Sequence, residues 1–438
     1  MTTTIFAPTP LAASLTTSHP RTSQEQHLPG AGSGLAGPSA RAHFQGYVRA
    51  DGRVGTRNHI GIFVVGNCGA TTARKVADHF TAKRLAPFAN VNGVVPFVHE
   101  LGCGMEMSGE PMNLLRRTIA GSIRNPNIVG AVVIALGCER NNIRGFFEQE
   151  QLETGPMLHM IVMQEIGGTA QAIAAGIAAV QGMLPTANQC RREAVSAAHL
   201  VVGLQSAAID ADAARSANPV LGAAVDLLVQ HGGTAILSET SDLALLEDQL
   251  AGRLSTPQVG AQVAQRIHWW RNYTAGRDTQ LQRTHSSDAS GIAAADKAAA
   301  GWLRAGSSPI QAAYEYAHPV TAKGLVFMDA PAYAAVSATG QVASGANLLA
   351  LTTGTGSGFG AAAVPTVKLA SNSATFARME DDLDIDCGPV LDGTRQVEEM
   401  GREVFERWLD YASGTPTKGE ELGVGDNEFV PWPIGVFA

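Results

Sequence analysis

Residues 46–80 run GYVRADGRVGTRNHIGIFVVGNCGATTARKVADHF. Here IGIFVVGN is an unbroken apolar run that ends in small polar residues, and ATTARKVADHF follows with helical periodicity. That is a strand, a turn and a helix. The pattern returns in NGVVPFVHELGCG, followed by a helix over 110–122, and again in IVGAVVIALGCERNN, followed by another helical stretch. Strands apolar along their whole length and alternating with helices predict a mostly parallel sheet covered on both faces. Functional residues are then expected beyond the carboxyl ends of the strands.

Outward from this stretch, a second α/β unit is expected from residue 187. It contains HLVVGLQS, a helix over NPVLGAAVDLLVQHG, the strand TAILSET, a long helix through HWWRNYTAG, and the later runs KGLVFMDA and ANLLALTTGTGSG. The fold class is therefore α/β, with two α/β domains of mostly parallel sheets at 44–186 and 187–438. A disordered tail is expected over 1–43, rich in Thr, Ser, Pro, Ala and Gly. The Ala-, Ser- and Gly-rich segment 279–308 reads as an irregular excursion.

The chain has 438 residues, enough for a large core, and 31 Lys and Arg against 39 Asp and Glu, a formal net charge of −8. That balance argues against nucleic acid or an anionic membrane as partner, so an anionic substrate needs a local basic pocket. Neither a secretory signal nor an apolar run of spanning length is seen. Five cysteines in so long a chain suit a reducing compartment, so a cytoplasmic location is expected.

Three cysteines, Cys68, Cys103 and Cys138, follow apolar runs in NCG, GCG and GCE turns, and Cys387 lies in DIDCG. Parallel strands deliver their carboxyl ends to one rim, where thiolates suit iron or an iron–sulfur cluster. Each cysteine taken alone reads equally well as a small core residue. Cys190, in the polar setting NQCRRE, belongs elsewhere. His99, four residues before Cys103, is the best histidine for ligation or proton transfer. Lys368 sits in an apolar strand-like run, ahead of the acids Asp381, Asp382, Asp384 and Asp386. Arg53, Arg57 and Asn58 form a polar turn in which an Arg fork could clamp a carboxylate; a purely structural turn is the alternative.

These segments together resemble the altronate and galactarate dehydratase family, which includes the large subunit of sulfolactate sulfo-lyase. The likeness runs in order from about residue 45 to 390 through GYVRADGRVGTRN, GNCGATTARKVADHF, GCGMEMSGEPMNLLRRTIAGSIRNPN, ALGCERNN, NPVLGAAVDLLVQHGGTAILSET, KGLVFMDAP, PTVKLASNS and RMEDDLDIDCG. The resemblance implies β-elimination beside a carboxylate with a divalent metal, most often iron; manganese or an iron–sulfur cluster are alternatives. It points to His99, Lys368 and Arg57 for catalysis, to Asn58, Arg53, Gln205 and Asn372 for substrate, and to Cys68, Cys103, Cys138 and Cys387 for metal. A small anionic substrate, a homo-oligomer and a separate small β-domain subunit are further expectations.

Departures from the family pattern are local. Where the family reads GLQCGGSD, residues 203–210 read GLQSAAID, and a segment that should end in Glu-Glu-Lys-Ser is SSDASGIAAADKAAAG. Thr355 replaces an arginine between glycines. The altered segments leave a non-catalytic or regulatory partner subunit of the same fold as the rival expectation, and sulfite as an alternative leaving group.

Overall fold

The computed structural model describes residues 41–207, 211–275, 294–426 and 428–434. The expected tail lies outside the described residues up to position 40, and regular structure begins at His43, one residue earlier than expected. Antiparallel strands β1 (His43–Val48) and β2 (Val54–Gly55) carry the chain into the GTRN turn. Strands β3 (His59–Val64), β4 (Gly93–Phe97), β5 (Ile128–Ala135) and β6 (Leu158–Val162) then form a parallel sheet in the order β4-β3-β5-β6. Strand β7 (Arg192–Ser196) returns to pair with β1.

The second sheet is larger and wholly parallel. It is built from β8 (Val201–Ala207), β9 (Thr234–Leu237), β10 (Ile310–Tyr314), β11 (Gly324–Met328), β12 (Leu348–Thr353), β13 (Thr366–Ala370) and β14 (Ile385–Asp386), in the order β10-β11-β9-β8-β12-β13-β14. Strands β11, β12 and β13 are buried at every position, as strands covered on both faces must be.

Helix Ala217–Gln230 covers one face of the large sheet, and helix Val397–Ala412 packs against that helix and shares its core. Helix Ala334–Ala343 covers the other and is buried almost all round, because helix Glu110–Ile123 of the smaller sheet packs on its outer side. The contact is backbone-close: a Cβ on Gly121 would stand 2.3 Å from the carbonyl oxygen of Ala343, so only glycine fits there. Asparagines complete the joint. Asn125 donates to the carbonyls of Val342 and Ala346, both at 2.8 Å, and Asn347 donates to those of Val54 and His199.

One sequence expectation needs correction. Within the supposed irregular excursion, Ala294–Trp302 is helical. Alanine loses no side-chain entropy in a helix, and a run of it supports one without strong periodicity.

Candidate active site

Two carboxyl-end rims and one buried lysine hold most of the chemistry. On the smaller sheet the NCG, GCG and GCE turns lie beyond β3, β4 and β5, as parallel strands require. The thiol of Cys103 neighbours those of Cys68 and Cys138, and burial, followed by the Cys68 thiol, pushes its pKa up. Glu139 folds back to accept the backbone N–H groups of Leu136 and Gly137, so it shapes the turn. Three thiols therefore share a rim. No group of three or more His, Cys, Asp or Glu side chains among the described residues is set around a common metal position. The donor type suits iron, while this side-chain arrangement does not form a ligand shell.

Cys387 does not join that rim. It is fully buried in the aliphatic core of the large sheet, and burial drives its thiol pKa far up. A protonated thiol in apolar surroundings packs like a small hydrophobe and is no metal ligand, which corrects the expectation. Cys190 lies by Arg49, away from the others.

His99 is also corrected. Its Nδ1 accepts the Leu101 N–H at 3.1 Å, which leaves the proton on Nε2, 3.0 Å from the carbonyl of Val64. Both nitrogens are held by backbone, and burial lowers the pKa to about 4. The ring is a neutral brace between β3 and the loop after β4 and has no nitrogen left for proton transfer.

Arg57 does clamp a carboxylate, but that carboxylate is Glu420 of the same chain. Nε and Nη2 meet Oε1 and Oε2 at 2.6 and 2.7 Å, and the other three N–H groups go to the carbonyls of Thr56, Tyr411 and Thr415. All five donors are used. Asn58 is likewise occupied, donating to the carbonyls of Asn90 and Ala187 and accepting from Arg49. The GTRN turn is structural, and neither residue has donors left for a substrate. Arg53 is exposed and ion-paired with Asp51. Asn372 caps the helix Ser373–Arg378, its Oδ1 accepting from Thr375 N.

Lys368 stands out. At the centre of β13 it is fully buried, and its Nζ has no hydrogen-bond partner among the described residues. Burial lowers its pKa, with Asp384 and Asp382 pulling the other way. Asp384 is fixed by the backbone N–H groups of Lys368 and Lys418, at 2.7 and 2.9 Å. The register places Gln205, Leu351 and Lys368 side by side, hence on one face of the sheet. Gln205 donates to Ser337 and Gln341, while its buried Oε1 has no partner among the described residues.

The carboxyl rim of the large sheet holds residues that the sequence reading passed over. Glu239, two residues beyond the end of β9, has a φ of 75°, rare for a non-glycine residue, and is buried against Arg304. Burial pushes its carboxyl pKa up to about 7, with Arg304 opposing. Asp329, just past β11, accepts from the Thr240 hydroxyl at 2.6 Å and from Trp270 Nε1 at 2.8 Å. Both acids follow apolar runs in TAILSET and KGLVFMDA, so the rule applied to the cysteines would have found them. Of the altered motif, Ser206 bonds Thr352, whereas Ile209, Asp210 and Asp288 lie outside the described residues.

An all-parallel sheet with polar residues gathered at its strand ends and a buried lysine within is the architecture of an α/β enzyme, with candidate chemistry beyond the strand ends. The chain belongs to the D-galactarate/altronate dehydratase family and so to the carbon–oxygen lyases. The family model described as D-galactarate/altronate dehydratase, C-terminal, matches residues 197–437, and that for the second domain of D-galactarate dehydratase/altronate hydrolase matches residues 46–188. The galactarate dehydratase (L-threo-forming) of Escherichia coli is 32% identical over 386 residues, covering 85% of this chain and 73% of that one. Altronate dehydratase of Bacillus subtilis is 27% identical over 376 residues, 85% of this chain and 74% of its own. The (2R)-sulfolactate sulfo-lyase subunit beta of Chromohalobacter salexigens is 27% identical over 396 residues, 88% of this chain and 96% of that subunit.

Proposed function

We propose that the chain is a hydro-lyase that removes water by β-elimination from a small, hydroxylated carboxylic acid of the sugar-acid class. The observation that carries this reading is the buried, unpartnered amine of Lys368. Keeping a lone ammonium out of water costs several kcal/mol, so packing alone gives no reason for it. Desolvation favours the neutral amine, which can take the weakly acidic proton beside a carboxylate. Once protonated, it is favoured by the charges of Asp384 and Asp382.

Iron, ahead of manganese or an iron–sulfur cluster, is proposed at the thiols of Cys68, Cys103 and Cys138 on the chemistry of those donors alone, and holding it requires these side chains to close up from the arrangement described above. When bound it would supply Lewis-acid stabilisation of negative charge. The sulfo-lyase likeness supports two variants: sulfite as leaving group, and a separate small subunit that completes the site. A homo-oligomer in the cytoplasm completes the reading; the five free cysteines suit a reducing compartment. No described helix is long and apolar enough to cross a membrane.

The test is turnover of galactarate, altronate and sulfolactate by anaerobically purified protein, with and without a co-expressed small subunit, alongside metal analysis. Formation of a 2-keto acid, lost in Lys368→Met, is expected. Ligand-induced stabilisation without turnover under any condition would favour a non-catalytic partner subunit. Absence of near-stoichiometric metal, with no activity regained on adding one, would remove the metal.

A further inference from the structure

A cleft of about 760 Å³ opens between the two parallel sheets, beside the first residue of β8 and the loops that enter β11 and β12. These are the amino ends of the strands, opposite the carboxyl rim. Its wall carries Arg53, Arg117, Arg124 and Lys323 against the carboxylates of Asp51 and Glu150, a local positive surplus on a chain whose formal net charge is −8.

Two of these cations are already engaged. Arg53 faces Asp51, with Nε 2.7 Å and Nη2 2.6 Å from Oδ2, and Arg124 donates to the carbonyl of Glu150. Arg117 differs. Its Nε is anchored on the carbonyl of Tyr316 at 2.8 Å, and neither Nη has a hydrogen-bond partner among the described residues. The anchor orients the guanidinium plane and leaves the outer donors for a ligand. Lys323, from the loop entering β11, places one bond on the carbonyl of Ala198, at 2.5 Å, and keeps two donors. Ala317, also in the lining, has a φ of 59°.

We propose that this cleft binds a small dianion, a dicarboxylate or a phosphate, through Arg117 and Lys323, at a site separate from Lys368 and from the thiol rim. An oriented guanidinium with a second cation in a concave site recognises several anionic oxygens at once. Arg53, expected beside the substrate, belongs to this wall. The cleft also touches the interior: Asn347, in its wall, accepts the Thr56 hydroxyl at 2.6 Å, and the next residue is Arg57.

Calorimetric titration of the full chain with inorganic phosphate, and separately with succinate, tests the site. Succinate has no hydroxyl to eliminate. The expected result is saturable binding of at least one probe, weakened about tenfold or more in Arg117→Gln and in Lys323→Gln and unchanged in Lys368→Met. Which probe binds separates phosphate from carboxylate. Lys323 is exposed, so its variant reads the site without disturbing a core. The proposal is overturned if neither probe binds saturably, if Arg117→Gln binds as tightly as the parent, or if binding is lost in Lys368→Met and kept in the cleft variants.

Discussion

Arg57 and Glu420 meet as a two-point pair across 363 positions of sequence, with Nε to Oε1 at 2.6 Å and Nη2 to Oε2 at 2.7 Å. The pair ties the turn before the first parallel strand to the short helix Lys418–Leu422, whose first backbone N–H holds Asp384. Through it, the smaller sheet's entry turn braces the surroundings of Lys368.

Glu420→Gln therefore leaves a guanidinium that is 3% exposed without its anion, a loss of about 3–5 kcal/mol when one partner of a buried pair is removed. Burial pushes the Glu420 carboxyl up, but the bonds and charge of Arg57 outweigh it and hold it below its ordinary 4.5. The pair's contribution is thus complete above pH 4.5 and fades as pH falls through the lower folded value. Urea unfolding of parent and variant across that range checks this; equal midpoints would show the pair to be dispensable.

Lys368→Met separates stability from activity. Removing a buried, unpartnered amine keeps or raises the unfolding midpoint, while turnover of the sugar acid drops about 10²–10⁴-fold, the usual worth of a proton-transfer group. Burial lowers the folded pKa below 10.5, so this lysine's contribution to parent stability climbs with pH up to that value and is missing from the variant, which keeps the climb of Lys323. Destabilisation with intact turnover would contradict the assignment.

Glu239 has the opposite sign. Its folded pKa, raised to about 7 from 4.5 by burial against the pull of Arg304, means the folded state holds more protons between those values. Its contribution to stability falls as pH rises from 4.5 to 7, against the rise that His99 gives over much of the same window, so Glu239→Gln should gain stability relative to the parent as pH rises. Thermal melts across this interval decide it.

The neutral ring of His99 predicts a loss of stability as pH falls from 6.5 to about 4, on the order of 3 kcal/mol for a shift of this size. In His99→Gln, which keeps an acceptor and a donor, turnover should stay within about tenfold of the parent while this ring's share of the acid slope disappears and that of the buried His59, also lowered to about 4, remains. A collapse of turnover with a normal melt would restore a chemical role to the ring.

Much of the fold was legible in the chain itself. Apolar runs such as IGIFVVG and VVIALG, short, rich in β-branched residues and closed by glycine turns, read as strands covered on both faces, and their alternation with helical segments makes them parallel, which puts the turns holding Cys68, Cys103 and Cys138 at one edge. Lys368 was visible as a charge inside such a run. What only the tertiary structure decided was whether each polar side chain had donors left. Arg57, Asn58 and His99 look like ligands for a substrate in sequence, yet partners more than 30 positions away, Glu420, Ala187 and Val64, take up their bonds. Cys387 reads like the other cysteines, but β13 and β14 carry it into an aliphatic core. Hydrogen-bond satisfaction and burial are pairwise properties of residues far apart in the chain, and only the folded structure sets them.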